Sequence, residues 1–171
     1  DQPSGTYGQF VPAVAASRAF SREDTATLIQ LSQSGSSDTG FRTNIGLLNL
    51  GDSTLLMEIG LFSADGVELG SVTAWLDPFE LKQINQVFRE VTPNEIGDGF
   101  ALVTASFTGG GERFLAYASV VDNRTGDPVF IPARRTPAAG DLIVPAAAHV
   151  AGAAGTNWRT DLEVFNPGAS Q

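Results

Sequence analysis

The sequence predicts an all-β fold, a two-layer antiparallel sandwich, and three observations predict it. Apolar residues make up 42 % of the 171 and charged residues only 17 %, with glycine, serine and threonine abundant, a mix that suits short strands joined by turns. Apolar runs of seven to ten residues recur along the chain, separated by Gly, Asp and Asn clusters. One of those separators is Ala64-Asp65-Gly66, and Asp-Gly between two apolar runs is a strong hairpin signal.

The elements follow in order. "ATLIQLS" (26–32) is the first strand, and "FRTNIGLLNL" (41–50) alternates Phe41, Thr43, Ile45 and Leu47 against Arg42, Asn44 and Gly46. "LLMEIGLFS" (55–63) runs into the Asp65-Gly66 turn, and "VELGSVTAWL" (67–76) returns from it. Leu81, Ile84, Val87 and Phe88 recur at three- and four-residue spacing, which predicts a helical turn or two over 81–90 across one end of the sandwich. "FALVTASFT" (100–108) leads to Gly109-Gly110-Gly111 and "FLAYASVVD" (114–122) follows. A connection at 123–127 precedes the closing strand "PVFIP" (128–132). Ile45, Leu47, Met57, Ile59, Leu61, Leu102, Tyr117 and Val121 are expected to face the core. Strands of this number and spacing point to a sandwich of immunoglobulin type.

The chain also repeats itself. Phe10-Val11-Pro12-Ala13 matches Phe130-Ile131-Pro132-Ala133, and Leu28-Ile29 matches Leu142-Ile143. Phe41-Arg42-Thr43 matches Trp158-Arg159-Thr160, and Asn49-Leu50-Gly51 matches Asn166-Pro167-Gly168. The order is kept and the offsets cluster near about 117 residues, which reads as one internal repeat. The expected organisation is a terminal strand of a preceding or partner repeat at 1–13, a complete sandwich at 24–135, and the first strands of a following repeat at 138–171. Those last strands are expected at 142–148 and 158–166.

"GTYGQFVPA", "FRTNIGLLNLG" and "AYASVVDNRTGDPVFIPA" together resemble an immunoglobulin-like β-sandwich repeat found in tandem in secreted proteins of environmental bacteria. The likeness covers most of the chain and rests on strand cores and turns. It implies an exported, extracellular or cell-surface module, and it assigns no catalytic or binding residue.

Composition narrows the chemistry. The formal charge of −9 repels nucleic acid, and no apolar run approaches the roughly 20 residues of a membrane helix. No secretory leader is visible, and the first residue is Asp1, so the chain reads as a processed protein or a piece of a longer one. Without cysteine there is no disulfide, thiolate metal site or cysteine nucleophile. His149 is the single histidine, set in an alanine-rich stretch without a nucleophile elbow, and it reads as structural. Glu58, Asp65, Glu68 and Asp77 fall in strands and turns, where no spacing pairs two carboxylates. Asp122, Asn123 and Asp127 could offer oxygens to calcium, but the simpler reading is an Asx turn. Asn123-Arg124-Thr125 fits a glycosylation sequon. Lys82, the single lysine, sits in a polar stretch unsuited to a core cross-link. No enzyme, cofactor or metal is expected.

Two functions remain. The first is a structural module that assembles head-to-tail by strand complementation into a fibre or surface array, its partners being copies of itself or neighbouring repeats. Tyr7, Phe10, Val11, Leu142, Val144, Trp158, Leu162, Val164 and Phe165 are the expected assembly interface. The second is a carbohydrate- or surface-binding accessory module of a secreted multidomain protein, attaching an enzyme or a cell to a polymer such as a cell-surface polysaccharide, with Trp75 and Trp158 as candidate stacking platforms.

Overall fold

The structure, a computed structural model, describes residues 8–106, 112–135, 144, 147–155, 157–160 and 162–166, and at Trp158 it describes the backbone. The chain divides into two compact units, Asp1–Thr136 and Pro137–Gln171.

Among its described residues the first unit has eight strands: β1 (Ala26–Gln33), β2 (Phe41–Asn49), β3 (Leu55–Phe62), β4 (Glu68–Leu76), β5 (Leu81–Ile84), β6 (Ile96–Ser106), β7 (Phe114–Asp122) and β8 (Pro128–Pro132). They form two antiparallel four-stranded sheets, ordered β1-β6-β3-β4 and β5-β2-β7-β8. A single apolar cluster draws on both sheets, so the sheets face each other across one core. Among the described residues there is no α-helix, and no helix is long and apolar enough to cross a membrane.

Alternation explains which face goes inward. Ile45 and Leu47 of β2, and Leu55, Met57, Ile59 and Leu61 of β3, are fully buried, with the intervening Glu58 exposed. On β6 and β7 most inward residues are small, Ala101, Val103 and Ala105, and Ala116 and Ala118, with the large Phe114 buried at the start of β7. Leu102 and Tyr117 lie on the outer faces and are only half-buried, which corrects their expected place in the core. The ring of Tyr117 lies across Gly46 on the neighbouring strand, where an added Cβ would come within 2.2 Å of it. It also stacks on Phe130 with centroids 5.3 Å apart, so its apolar surface is covered without entering the core.

Two connections match their turn chemistry. β3 and β4 pair through a turn closed by Gly66 N–H donating to Ser63 O, with Ala64 and Asp65 at its corners and Gly66 at φ 79 just after them. Between β7 and β8, Asp122 Oδ1 accepts from the N–H groups of Arg124 and Thr125, an Asx turn. Asn123 donates from Nδ2 to the carbonyls of Ser36 and Thr39 and accepts from Arg42. Its amide thus ties the β1–β2 connection to this turn.

The segment 81–90 differs from the helical expectation. Residues 81–84 are the edge strand β5, paired with β2, and only Val87–Glu90 make a 3-10 turn. The three- and four-residue spacing arose from two adjacent elements. Val87 and Phe88 are fully buried, whereas Leu81 points to solvent. β6 also starts earlier than its apolar run, at Ile96, because Gly97, Asp98 and Gly99 continue the strand through an irregular stretch opposite β1.

The end of the sandwich is clasped. Arg135 grips both carboxylate oxygens of Asp24, at 3.0 and 3.1 Å, donates to the carbonyls of Arg18 and Ala19, and lies 4.7 Å from the Phe20 ring centroid. The hydrogen bond from Arg135 and the Ser21 N–H hold the Asp24 carboxyl well below the usual carboxylate range, and the same pair raises Arg135. A lowered folded pKa adds stability that is complete above the ordinary value near about 4 and lost as pH falls through the lowered one. Asp24→Asn is therefore expected to flatten the stability loss below about pH 4, and to cost about 1 kcal/mol or less at pH 7 because the pair is partly exposed. Acid titration of both proteins followed by circular dichroism checks this.

The second unit is slight. β9 (His149–Ala151) and β10 (Asn157–Arg159) form a two-stranded antiparallel sheet around a 3-10 turn at Ala153–Gly155. β9 begins just beyond the strand expected at 142–148, and β10 overlaps the one expected at 158–166 only at residues 158–159. Residues 144, 147–148, 160 and 162–166 carry no regular strand, and the rest of 142–146 and residue 161 lie outside the described residues.

Candidate functional site

The residues expected to form an assembly interface fall into two groups. On the N-terminal side, residues 8–15 carry no regular structure, and Phe10 and Val11 are 82 % and 53 % exposed. Residues 8–15 contain no charged side chain. Tyr7 lies outside the described residues, as does Leu142. On the C-terminal side, Val144, Leu162 and Val164 are exposed, at 47 %, 66 % and 76 %, and Phe165 is half-buried. The backbone of Trp158 pairs with Val150 in the β9–β10 sheet. None of the described residues of this unit is buried.

The edges of the sandwich contrast with these segments. β8 begins and ends with proline, β5 has only four residues, and the pairing of β1 with β6 is broken by two register shifts. At β4 the Lys82 ammonium donates to the Trp75 carbonyl. Prolines, short strands, bulges and an edge lysine all discourage a further strand from adding.

A second exposed feature was legible only in part. The corner joining β4 to β5 carries Trp75, Phe79 and Leu81, which are 61 %, 68 % and 59 % exposed. Trp75 occupies an outward position on the edge strand β4, opposite Leu56 of β3. Phe79 sits at φ 58, the left-handed region that bulky side chains avoid. Its conformation is imposed from outside. Its N–H donates to Gly51 O, and Glu80 N–H donates to Asp77 O. Fully buried Asn49 holds both sides of the corner, donating from Nδ2 to Asp77 O and Ser53 O and accepting from Gly51 N–H. Glu80 accepts from Asp77 N–H at 2.7 Å and lies 3.3 Å from Lys82 Nζ. These contacts, that of Asp77 N–H foremost, lower the Glu80 carboxyl below its ordinary value.

A non-glycine residue held left-handed costs roughly 1–2 kcal/mol, while glycine's extra freedom in the unfolded chain costs about 0.5–1 kcal/mol. Phe79→Gly is therefore expected to leave stability unchanged or raise it by about 1 kcal/mol, whereas Phe79→Val should lower it. Thermal unfolding of the three proteins decides.

The remaining sequence candidates stay apart. Glu58 lies opposite Thr73 and Thr104 on the outer face of its sheet, Asp65 sits in a turn, and Glu68 pairs with Phe62. His149 is exposed on β9. Among the described residues no three His, Asp or Glu side chains gather as a metal site.

No family model matches the sequence, and no curated protein matches it. Among solved structures, the crystal structure of Thermotoga maritima 1070 is similar at 9 % identity and a TM-score of 0.43, over 64 % of this chain and 90 % of that one, a likeness too weak to carry a functional argument.

Proposed function

We propose that this chain is a non-catalytic, extracellular structural module of bacterial origin, an immunoglobulin-like repeat whose copies join head-to-tail by strand complementation. The observation that carries the reading is the C-terminal unit. It has two strands of three residues, no buried residue among those described, and Leu162 and Val164 in solvent. A two-stranded hairpin is marginal in water and is stabilised by acquiring further strands. The segment 8–15 has the character of such a strand: free of regular secondary structure, uncharged and apolar at Phe10, Val11 and Val14. The guarded edges of the sandwich favour these segments over its own sheets as the joining surfaces. Donor and acceptor are different patches, so the contact repeats along a line unless it closes into a ring. Two four-stranded antiparallel sheets around one core support the immunoglobulin-like reading of residues 24–135, and the internal repeat supports the placing of 1–13 and 138–171 in neighbouring units.

The cysteine-free background offers a direct test. Val11→Cys and Val164→Cys proteins, mixed and oxidised, are expected to form a mixed disulfide between copies. Cross-linking no greater than that of Val11→Cys with a turn control, Asp65→Cys, would refute strand donation.

A further inference from the structure

We propose that the β4–β5 corner is a contact site for a neutral polysaccharide, with the Trp75 and Phe79 rings stacking on the sugar faces. Two large aromatic side chains four residues apart, Trp75 near the end of β4 and Phe79 on the connection to β5, stand mostly in solvent. Exposed apolar surface rimmed by polar residues marks binding sites when it is contiguous.

The corner is braced at every step. Lys82 holds the Trp75 carbonyl, Gly51 holds the Phe79 N–H, and buried Asn49 ties the strand-to-strand connection at residues 50–54 to residue 77. Phe79 keeps a left-handed backbone in which a bulky ring is disfavoured. A turn that needed only to reverse the chain would be better served there by glycine. An unfavourable conformation maintained by surrounding bonds is what a surface that presents a ring requires.

The chemistry around the rings selects the ligand class. Asp77, Glu80 and Lys82 intersperse the aromatic positions, and Ser71 and Thr73 precede Trp75 on the same face of β4. A face that mixes aromatic rings with hydrogen-bonding groups fits a polyhydroxylated ring with apolar C–H faces better than it fits an apolar protein surface. The net charge of −9 opposes acidic polymers, and salt-insensitive retention separates a neutral sugar from a basic one. Polymers of equatorially substituted hexoses, such as β-linked glucans and chitin, present the flattest C–H faces.

The test is retention of the intact chain on cellulose, chitin and a gel containing a soluble β-glucan, at physiological salt. Retention on at least one is expected, released by oligosaccharides of the same sugar and insensitive to added salt. Trp75→Ala and Phe79→Gly should each weaken it about tenfold, with the fold intact by circular dichroism. Phe79→Gly matters because glycine accepts the backbone conformation, so lost binding reports the ring and not the fold. No retention on any of the three polymers, or retention that both variants leave unchanged, overturns the proposal. So does self-association of the chain that Trp75→Ala abolishes, since the corner would then be a contact between copies.

Discussion

Leu47→Ala is expected to destabilise the chain by about 2–5 kcal/mol, and Leu102→Ala by about 1 kcal/mol. Leu47 is fully buried at the centre of its sheet, between Ala116 of β7 and Lys82 of β5. Its neighbours across the strands are fixed by two ladders, so the cavity left by truncation cannot collapse fully. Inward alanines on β6 and β7 make the site depend on large side chains from β2 and β3. Leu102 sits on the outer face of β6, opposite Gly60, and loses only partial burial. Domains of this size have a total stability of roughly 5–15 kcal/mol, so the first substitution consumes much of it. Urea unfolding of the two variants measures both. Equal losses would place Leu102 in the core and contradict the register of β6.

The difference between those two leucines shows how the fold could be read from sequence and where that reading stopped. At 41–50 and 55–63 the residues between the apolar positions include Asn44, Gly46, Glu58 and Gly60, so one face declares itself. At 100–106 and 114–122 both faces are apolar, and alternation is silent about direction. Volume gives part of the answer. Alanine at 101, 105, 116 and 118 faces the core and Phe100, Leu102 and Tyr117 go outward, although Phe114 at the start of β7 is fully buried. Phe62 stacks on Phe100 with centroids 4.8 Å apart, and Tyr117 on Phe130, so the outer faces carry their own aromatic cover. Gly46 beneath Tyr117 was the available sign, because glycine inside a strand marks a close approach.

The sites were legible to different degrees. Outward placement of Trp75 follows from its alternation with Val72, Ala74 and Leu76. The conformation of Phe79 does not follow from any local signal. It depends on Asn49 and Gly51, which are distant in sequence and meet the corner only once both sheets have formed. The terminal segments were identified by repetition and not by periodicity. Repetition locates an equivalent segment but cannot give its strand limits: among the described residues β9 falls beyond the strand expected at 142–148, and β10 meets only the start of the one expected at 158–166.

Removal of residues 1–13 is expected to abolish assembly while leaving the sandwich folded. Of the described residues in that stretch, 8–13, none is buried, so removing them opens no cavity in the core. It removes Phe10 and Val11, whose burial against an open strand edge would supply apolar area and backbone hydrogen bonds together. The most direct measurement is sedimentation velocity of the intact and shortened chains over a wide concentration range. The intact chain should sediment as species that grow with concentration, and the shortened chain as a monomer with the same far-ultraviolet circular dichroism. An intact chain that stays monomeric throughout, or a shortened chain that assembles equally well, would contradict strand complementation as the basis of its function.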